Sequence, residues 1–377
     1  MPALDAKLKQ ERTAREARQE WRALAQTEPL AAMRVRRNGR TLISFSGNDY
    51  LGLSRHPEVV AAASTALARY GAGAGASRLV TGNHPRYGAL EARLAAIKQS
   101  EAALVVGSGY LANLGAIPAL AGKGDLILAD KLSHACILDG ARLSGANLKR
   151  FKHNDMADLA RLLAAHRTHH AQCLIITEHV FSMDGDVAPL KEIRALCDAH
   201  DAVMMVDDAH GLGILSPDLQ PDLWMGTLSK AAGGYGGYLA GSRVVIDHLT
   251  ATMRSVIFST ALPPATIAAA ERALELMTPE RATRVLMLAR RFTSALDLPH
   301  AQTAIVPLII GDSAAACEAS AQLEEAGFLV TAIRPPTVAR GTARLRVTFS
   351  ALHEETMVDA LAAAVKTCVA TKFENAD

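Results

Sequence analysis

Residues 203–211 read VMMVDDAHG and residues 223–230 read LWMGTLSK, and these two stretches decide the predicted fold. Each stretch begins with an apolar run of strand length and ends in polar residues. Similar runs alternate with helical patterns from about residue 48 to residue 275, which is typical of a mostly parallel sheet with helices on both faces. Ligands of such open sheets bind at the carboxyl ends of the strands, so the polar residues after each run are the candidates for function.

The same alternation predicts the other elements of this α/β sheet. The apolar runs predict buried strands at Ala103–Val106, Leu126–Leu128, Cys173–Thr177, Val203–Val206 and Tyr238–Ala240. Helical spacing predicts crossover helices at Met156–His166 and Leu190–His200, the second directly after Pro189.

Both ends of the chain depart from this alternation. Residues 5–26 have the pattern of a charged helix, and Met33–Phe45 that of a hairpin turning at Asn38-Gly39. After about residue 276 the pattern predicts a helix followed by Ala304–Ile310 (strand), Ala314–Gly327 (helix), Leu329–Ile333 and Ala343–Phe349 (strands) and a last helix from Glu354. We therefore predict an arm at 1–47, a large domain at 48–275 and a small α+β domain at 276–377.

Composition and charge exclude several classes of protein. Forty Lys plus Arg against 38 Asp plus Glu give a formal net charge of +2, too small to indicate a nucleic-acid partner. The five cysteines include no CxxC pair and predict reduced thiols rather than a disulfide framework or a zinc site.

The N-terminus lacks the apolar core of a secretory signal, so we expect a cytoplasmic protein. Ala102 to Gly122 is uncharged and long enough to span a bilayer, but its glycines and Pro118 favour a strand, a turn and a short helix.

Asp207 and Lys230 meet the requirements of a pyridoxal-phosphate site. A lysine amine bonds the cofactor aldehyde, and a carboxylate keeps the pyridine nitrogen protonated. Residues 107–110, Gly-Ser-Gly-Tyr, add a glycine turn between a strand and a helix, where backbone N–H groups bind phosphate. Each feature alone has a structural alternative, such as a capping aspartate, a solvated lysine or, at His134, a half-buried histidine. The glycines at 71–75 resemble a dinucleotide loop but follow a helical pattern, which favours a simple turn.

Several segments together resemble the α-oxoamine synthases, which are fold-type-I pyridoxal-phosphate enzymes. The similarity runs from about Arg22 to residue 365. It is most specific at residues 48–53 (NDYLGL), 77–79 (SRL), 81–85 (TGNHP), 181–186 (FSMDGD), 207–211 (DDAHG) and 341–346 (GTARLR). The resemblance implies a transferase with a mostly parallel central sheet and a smaller C-terminal α+β domain, which works as a homodimer with sites at the interface.

The resemblance also implies roles for individual residues. Lys230 would bond the cofactor, Asp207 would pair with the pyridine nitrogen and His210 would donate to the ring hydroxyl. His134 would stack on the ring. The remaining implied contacts are Gly109, Tyr110, Ser182 and Thr227 for the cofactor, and Arg22, Asn48, Arg334, Thr337 and Arg346 for the substrate. Phe258-Ser259-Thr260 resembles a segment that reaches the phosphate bound by the partner subunit.

The segment at 81–85 favours the branch of the family that condenses L-alanine with a pimeloyl thioester in biotin biosynthesis, with loss of carbon dioxide. The resemblance then implies that Lys230 moves the Cα proton, that His134 donates to the thioester carbonyl and that Arg346 holds the alanine carboxylate. The acyl group would arrive on coenzyme A or on an acyl-carrier protein. Three alternatives stay open: another α-oxoamine synthase that uses glycine or serine with a different acyl-CoA, a catalytically silent partner subunit, and transamination.

Overall fold

A computed structural model describes residues 2–216 and 219–369. The strands in these ranges are β1 (Glu28–Pro29), β2 (Arg34–Arg37), β3 (Arg40–Ser44), β4 (Ala102–Val106), β5 (Leu126–Asp130), β6 (Asn147–Phe151), β7 (Cys173–Glu178), β8 (Val203–Asp207), β9 (Leu223–Thr227), β10 (Gly237–Gly241), β11 (Ile305–Gly311), β12 (Phe328–Leu329), β13 (Thr331–Ile333) and β14 (Ala343–Thr348). The α-helices are α1 (Pro2–Ala17), α2 (Pro57–Tyr70), α3 (Arg86–Ile97), α4 (Gly109–Leu120), α5 (Ala135–Ser144), α6 (Met156–His166), α7 (Leu190–Ala199), α8 (Arg243–Thr252), α9 (Arg254–Ile257), α10 (Pro264–Leu276), α11 (Pro279–Ala295), α12 (Ser313–Glu325) and α13 (Glu355–Val369).

Seven strands form the central sheet, in the order β4-β10-β9-β8-β7-β5-β6. Strand β10 runs antiparallel to β4 and β9, whereas the other neighbouring pairs are parallel. The predicted mostly parallel sheet is therefore confirmed. Strands β4, β5, β7, β9 and β10 are buried at every residue, because helices cover both faces.

The uncharged stretch from Ala102 to Gly122 folds as predicted, into β4, a turn and α4. Helix α4 is mostly apolar because it lies in a hydrophobic cluster with strands of the sheet and with α5 and α8. Across the residues that the structure describes, we find no helix with the length and apolar character needed to span a membrane.

The described residues divide into two compact units. The larger unit contains residues 49–182 and 186–283 and holds the seven-stranded sheet. The smaller unit contains residues 2–48, 183–185 and 284–369 and holds one sheet of order β1-β2-β3-β12 and another of order β11-β14-β13. The smaller unit thus combines residues from both ends of the chain, and the three-part division given above stays a prediction.

The N-terminal arm differs in part from its prediction. The hairpin of β2 and β3 turns at Asn38 and Gly39, which have φ of 50° and 76°, as an Asn-Gly turn requires. The helix predicted over residues 5–26 is wrong beyond Ala17, where α1 ends. Gln19 has a left-handed φ of 55°, and the guanidinium of Arg22 donates to the carbonyl oxygens of Arg334 and Pro335. These contacts hold the chain after α1 in an irregular conformation despite its helical pattern.

A second difference lies near residue 330. The single strand predicted at Leu329–Ile333 is two strands, because β12 pairs in parallel with β3 whereas β13 pairs antiparallel to β14. The chain changes sheets at Val330. The hydroxyl of Ser46 stabilises this change by donating to the Leu329 carbonyl at 3.0 Å and accepting from the Thr331 N–H at 2.9 Å.

Candidate active site

Asp207 is the last residue of β8, and its carboxylate is buried at the carboxyl end of the sheet. The side-chain amide of Asn113 donates to Oδ2 at 2.8 Å, and the Ala209 N–H donates to Oδ1 at 2.9 Å. Burial raises the pKa of Asp207, while the positive charge of Lys230 acts in the opposite direction. A buried carboxylate held in this way favours a cationic partner such as a protonated ring nitrogen.

Lys230 lies three residues after the end of β9, in a tight loop. Thr227 closes this loop by donating its hydroxyl to the Gly236 carbonyl at 2.8 Å. The Nζ atom of Lys230 lies 2.7 Å from Nε2 of His210, and Nδ1 of the same ring lies 2.7 Å from the hydroxyl of Tyr50. The fold thus brings the predicted residues Lys230 and His210 together, and it adds Tyr50.

The turn at residues 107–109 leads from β4 into α4. Ser108 caps the helix by accepting a hydrogen bond from the Leu111 N–H at 3.2 Å. A Cβ atom at Gly109 would lie 3.2 Å from Cβ of Thr227, and one at Gly237 would lie 2.3 Å from the Ser108 carbonyl oxygen. Glycine therefore lets the turn pack directly against β9 and β10, and it places the N-terminus of α4 beside Thr227.

Glu178 connects the loops that carry His134 and Ser182. It is the last residue of β7 and is buried. Its Oε1 accepts from the His134 N–H at 2.6 Å, and its Oε2 accepts from the Ser182 N–H at 3.2 Å. Burial, reinforced by the charge of Asp207, raises the pKa of Glu178 to about 8. The site residues predicted from the sequence do not include Glu178, although an acidic residue at the end of a buried strand is a usable signal.

Tyr110 and His134 are both exposed in the structure. The hydroxyl of Tyr110 donates to Oδ2 of Asp139 at 2.6 Å, and this hydrogen bond raises the pKa of Tyr110. His134 caps α5, because its Nδ1 accepts from the Cys136 N–H. One polar atom of each side chain is therefore held by a hydrogen bond, while part of the side chain remains accessible to solvent.

The predicted substrate residues lie in the smaller unit and form two groups. In one group, Arg22 Nη2 donates to the Arg334 carbonyl at 3.1 Å and to the Thr337 hydroxyl at 3.0 Å. These three residues line a cavity of about 530 Å³. In the other group, the buried Arg346 donates to Oδ1 of Asn48 at 3.1 Å.

The larger unit has the chemical groups that pyridoxal phosphate requires. Lys230 supplies a primary amine, Asp207 supplies a buried acid for the ring nitrogen, and the glycine turn at the start of α4 supplies a backbone site for an anion. The small clearance between Gly109 and Thr227 leaves backbone rather than side chains at that helix end. The residues present therefore fit the cofactor.

Comparison with known proteins also indicates a pyridoxal-phosphate enzyme. The model of the aminotransferase class I and II family matches residues 40–365. The chain is 58% identical to the 8-amino-7-oxononanoate synthase of Methylobacterium radiotolerans over 367 residues, which cover 97% of this chain and 98% of the relative. It is also similar to the solved serine palmitoyltransferase of Sphingomonas wittichii, with a TM-score of 0.91 and 31% identity over 97% of each chain. A serine palmitoyltransferase from S. paucimobilis with PLP and myriocin bound has a TM-score of 0.89 and 28% identity over 96% of this chain and 97% of that one.

Proposed function

The chain belongs to the aminotransferase class I and II family, and we propose that it condenses L-alanine with a pimeloyl thioester to form 8-amino-7-oxononanoate. It is a pyridoxal-phosphate-dependent C-acyltransferase with the fold of the type I transferases. The observation that carries the substrate assignment is the 58% identity, over nearly the whole chain, to a protein named for this product. The placement of Asp207 and Lys230 at neighbouring strand ends supports the cofactor assignment.

The proposed reaction breaks three bonds and forms three. A carbon–carbon bond forms between the alanine Cα and the acyl carbonyl carbon. The C–S bond and the original Cα–H bond break, and the thiolate takes up a proton and leaves as the thiol. The Cα–carboxylate bond then breaks with release of carbon dioxide, and a proton is returned to Cα to form a new Cα–H bond. Bound pyridoxal phosphate supplies an aldehyde for the amines and a protonated ring that accepts the electrons released at Cα.

Asp207 is proposed to hold the proton on the ring nitrogen. Its two carboxylate oxygens accept from Asn113 and Ala209, so the side chain cannot rotate without losing a hydrogen bond. A cation beside it would also offset the cost of its burial. Both effects favour an ionised Asp207 in the loaded enzyme.

Lys230 is proposed to take the Cα proton and later to return one. His210 lies 2.7 Å from its amine and has Tyr50 on the opposite ring nitrogen, so the amine and the ring can share a proton. His134 is proposed to donate a hydrogen bond to the thioester oxygen as negative charge develops there. Glu178 fixes the backbone at His134 and Ser182 for these roles.

For the substrates, we assign the alanine carboxylate to Arg346, whose guanidinium Asn48 already orients. Arg22, Arg334 and Thr337 line the cavity of the smaller unit and are the candidates for the acyl substrate. The acyl group arrives on coenzyme A or on an acyl-carrier protein, and an assay with both donors decides between them.

The test is a matrix of three amino acids against several acyl thioesters. Purified protein is incubated with L-alanine, glycine or L-serine and with pimeloyl, acetyl, succinyl or palmitoyl thioesters, and carbon dioxide and product mass are measured. We expect release of carbon dioxide and an amino ketone only with alanine plus the pimeloyl donor. Serine with palmitoyl thioester is the alternative that the solved neighbours favour. Pyridoxamine phosphate without carbon dioxide would indicate transamination, and a protein that binds no cofactor would be a silent subunit.

We also propose a homodimer, supported by exposed apolar residues. Val80 and Phe258 keep 74% and 70% of their surface exposed. They lie on neighbouring segments, because Ser77 and Thr260 form a β-bridge. A Phe258→Asp variant should sediment as a monomer and bind pyridoxal phosphate more weakly, as expected if the partner completes the phosphate site. The cytoplasmic location predicted above is part of the same proposal.

A further inference from the structure

A chain of hydrogen bonds leads from Asp207 to His134 through two buried residues. Asn113 Nδ2 lies 2.8 Å from Oδ2 of Asp207 and 3.1 Å from Sγ of Cys136. The same sulfur lies 2.8 Å from Nδ1 of His134. Asn113 and Cys136 are 0% and 3% exposed, so water does not compete for the contacts between Asp207, Asn113 and Cys136. The mechanism proposed above uses both ends of this chain and gives Cys136 no role.

Asp207 determines which group donates and which accepts in this chain of hydrogen bonds. An ionised carboxylate only accepts hydrogen bonds, so the amide group of Asn113 must turn its NH₂ toward Asp207. The second N–H of that NH₂ group then points to Cys136, whose sulfur accepts it. The Oδ1 atom of Asn113 is buried and has no hydrogen-bond partner among residues 2–216 and 219–369. The hydrogen bond to Asp207 therefore stabilises this orientation of the Asn113 amide by more than the buried, unpaired Oδ1 destabilises it.

At the other end, Cys136 directs two donors at one atom of His134. The backbone N–H of Cys136 donates to Nδ1 at 3.3 Å, so Nδ1 is an acceptor. Burial raises the pKa of the Cys136 thiol to about 12, so the thiol stays protonated and its S–H also donates a hydrogen bond to Nδ1. Partial desolvation lowers the pKa of His134, with Lys230 adding to the effect and Asp207 opposing it. The neutral ring therefore carries its proton on Nε2.

We propose that Cys136, held by Asn113, is a positioning residue that fixes the Nε2–H tautomer of His134 and so presents a hydrogen-bond donor to the thioester oxygen. This inference rests on the proposed function, in which that oxygen becomes negatively charged. The opposite tautomer would present the lone pair of Nε2 to the same oxygen, and the two would repel each other. The arrangement resembles the general use of an outer hydrogen bond to select a histidine tautomer.

The first test reads the tautomer directly. Nitrogen-15 NMR of the apoprotein labelled in histidine distinguishes Nε2–H from Nδ1–H, and a His134→Gln variant identifies the signal. We expect the Nε2–H form in the wild-type protein. An Nδ1–H form would overturn the proposal. Because this measurement needs neither substrate nor cofactor, its failure is distinct from a failure of the condensation reaction.

The second test uses Cys136→Ala, Cys136→Ser and, as a matched control, Cys173→Ala, which removes another buried thiol at the start of β7. Loss of the S–H donor removes a bond that favours the neutral ring, so Cys136→Ala should raise the titration midpoint of His134 by about 0.5 to 1. It should also lower kcat roughly fivefold to tenfold with little change in KM for alanine.

The serine variant retains a donor and should restore both values, and the Cys173→Ala control should change neither. An unchanged midpoint in folded Cys136→Ala would overturn the proposal. If that variant does not fold, the wild-type tautomer and the titration of the serine variant still decide the question.

Discussion

The amine nitrogen of Lys230 lies 2.7 Å from Nε2 of His210. The opposite nitrogen of that ring lies 2.7 Å from the hydroxyl of Tyr50. A lysine must lose a proton before it can act as a nucleophile or a base, and a neighbouring imidazole that can hold this proton lowers the barrier to that loss. The contact therefore identifies Lys230, among the lysines that the structure describes, as the one with the clearest chemical role.

The first prediction concerns covalent attachment of the cofactor. Lys230→Ala should lose the pyridoxal phosphate that becomes fixed to the wild-type protein after borohydride reduction, because the substitution removes the amine that bonds the cofactor aldehyde. Mass spectrometry of the reduced protein measures the fixed cofactor. Lys123→Ala, at an exposed position between α4 and β5, is the control and should retain full labelling. Undiminished labelling of Lys230→Ala would remove this lysine from the mechanism.

The second prediction concerns the acid at the end of β8. Asp207→Asn keeps the shape of the side chain and loses its charge, so the ring nitrogen would no longer stay protonated. We expect partial retention of the cofactor and a fall in kcat of roughly 10²-fold to 10⁴-fold. Steady-state kinetics at saturating cofactor measure the effect, and Asp198→Asn on the exposed side of α7 serves as control. Turnover within a few-fold of the wild-type value would contradict the assignment.

Much of the fold could be predicted because local sequence and burial agree. Strands β8 and β9 are apolar runs since both faces of the sheet are covered, and their polar last residues marked the site. Strand β6 was missed, because its sequence NLKRF is partly exposed at the sheet edge and lacks an apolar run. The early end of α1 and the change of sheet at Val330 depend on hydrogen bonds to distant residues. Residue patterns do not contain that information.

The site, like the fold, has residues that the sequence predicts and residues that it does not. The sequence predicts Asp207 and Lys230 because Asp207 ends one buried strand and Lys230 lies three residues after the next. Tyr50 contacts His210 across 160 residues of sequence, and Asn113 contacts Asp207 across 94. Local patterns therefore contain no signal for either contact. Glu178 carries a detectable signal, because it is the last residue of a buried strand as Asp207 is.

The third prediction concerns Glu178. Glu178→Ala leaves the N–H groups of His134 and Ser182 without their acceptor, which should lower the free energy of unfolding by roughly 2 to 5 kcal/mol. Urea denaturation of the apoprotein measures this loss. Glu192→Ala, in the exposed first turn of α7, is the matched control and should remain within about 0.5 kcal/mol of wild type. Equal stability of both variants would show that water replaces the carboxylate.

The fourth prediction concerns pH and the buried His353 of the smaller unit. Its Nδ1 accepts from the Ser350 N–H at 2.9 Å, its Nε2–H donates to the Ser44 carbonyl at 3.0 Å, and its ring stacks on Phe45 with centroids 4.1 Å apart. The ring therefore has a partner at each nitrogen only in its neutral form. Burial lowers the pKa of His353 from its ordinary value of 6.5 to about 4.

Below pH 6.5 the unfolded chain takes up a proton at His353 that the folded protein does not accept until about pH 4. The free energy of unfolding should therefore fall as the pH is lowered through this window, by up to roughly 3 kcal/mol from this residue. Other groups titrate there too, so the informative quantity is the difference between wild type and His353→Gln. We expect the variant to be less stable at pH 7 and to lose less stability between pH 6.5 and 4.5 in urea denaturation. The exposed His300→Gln variant should follow the wild-type curve, and parallel curves for wild type and His353→Gln would contradict this prediction.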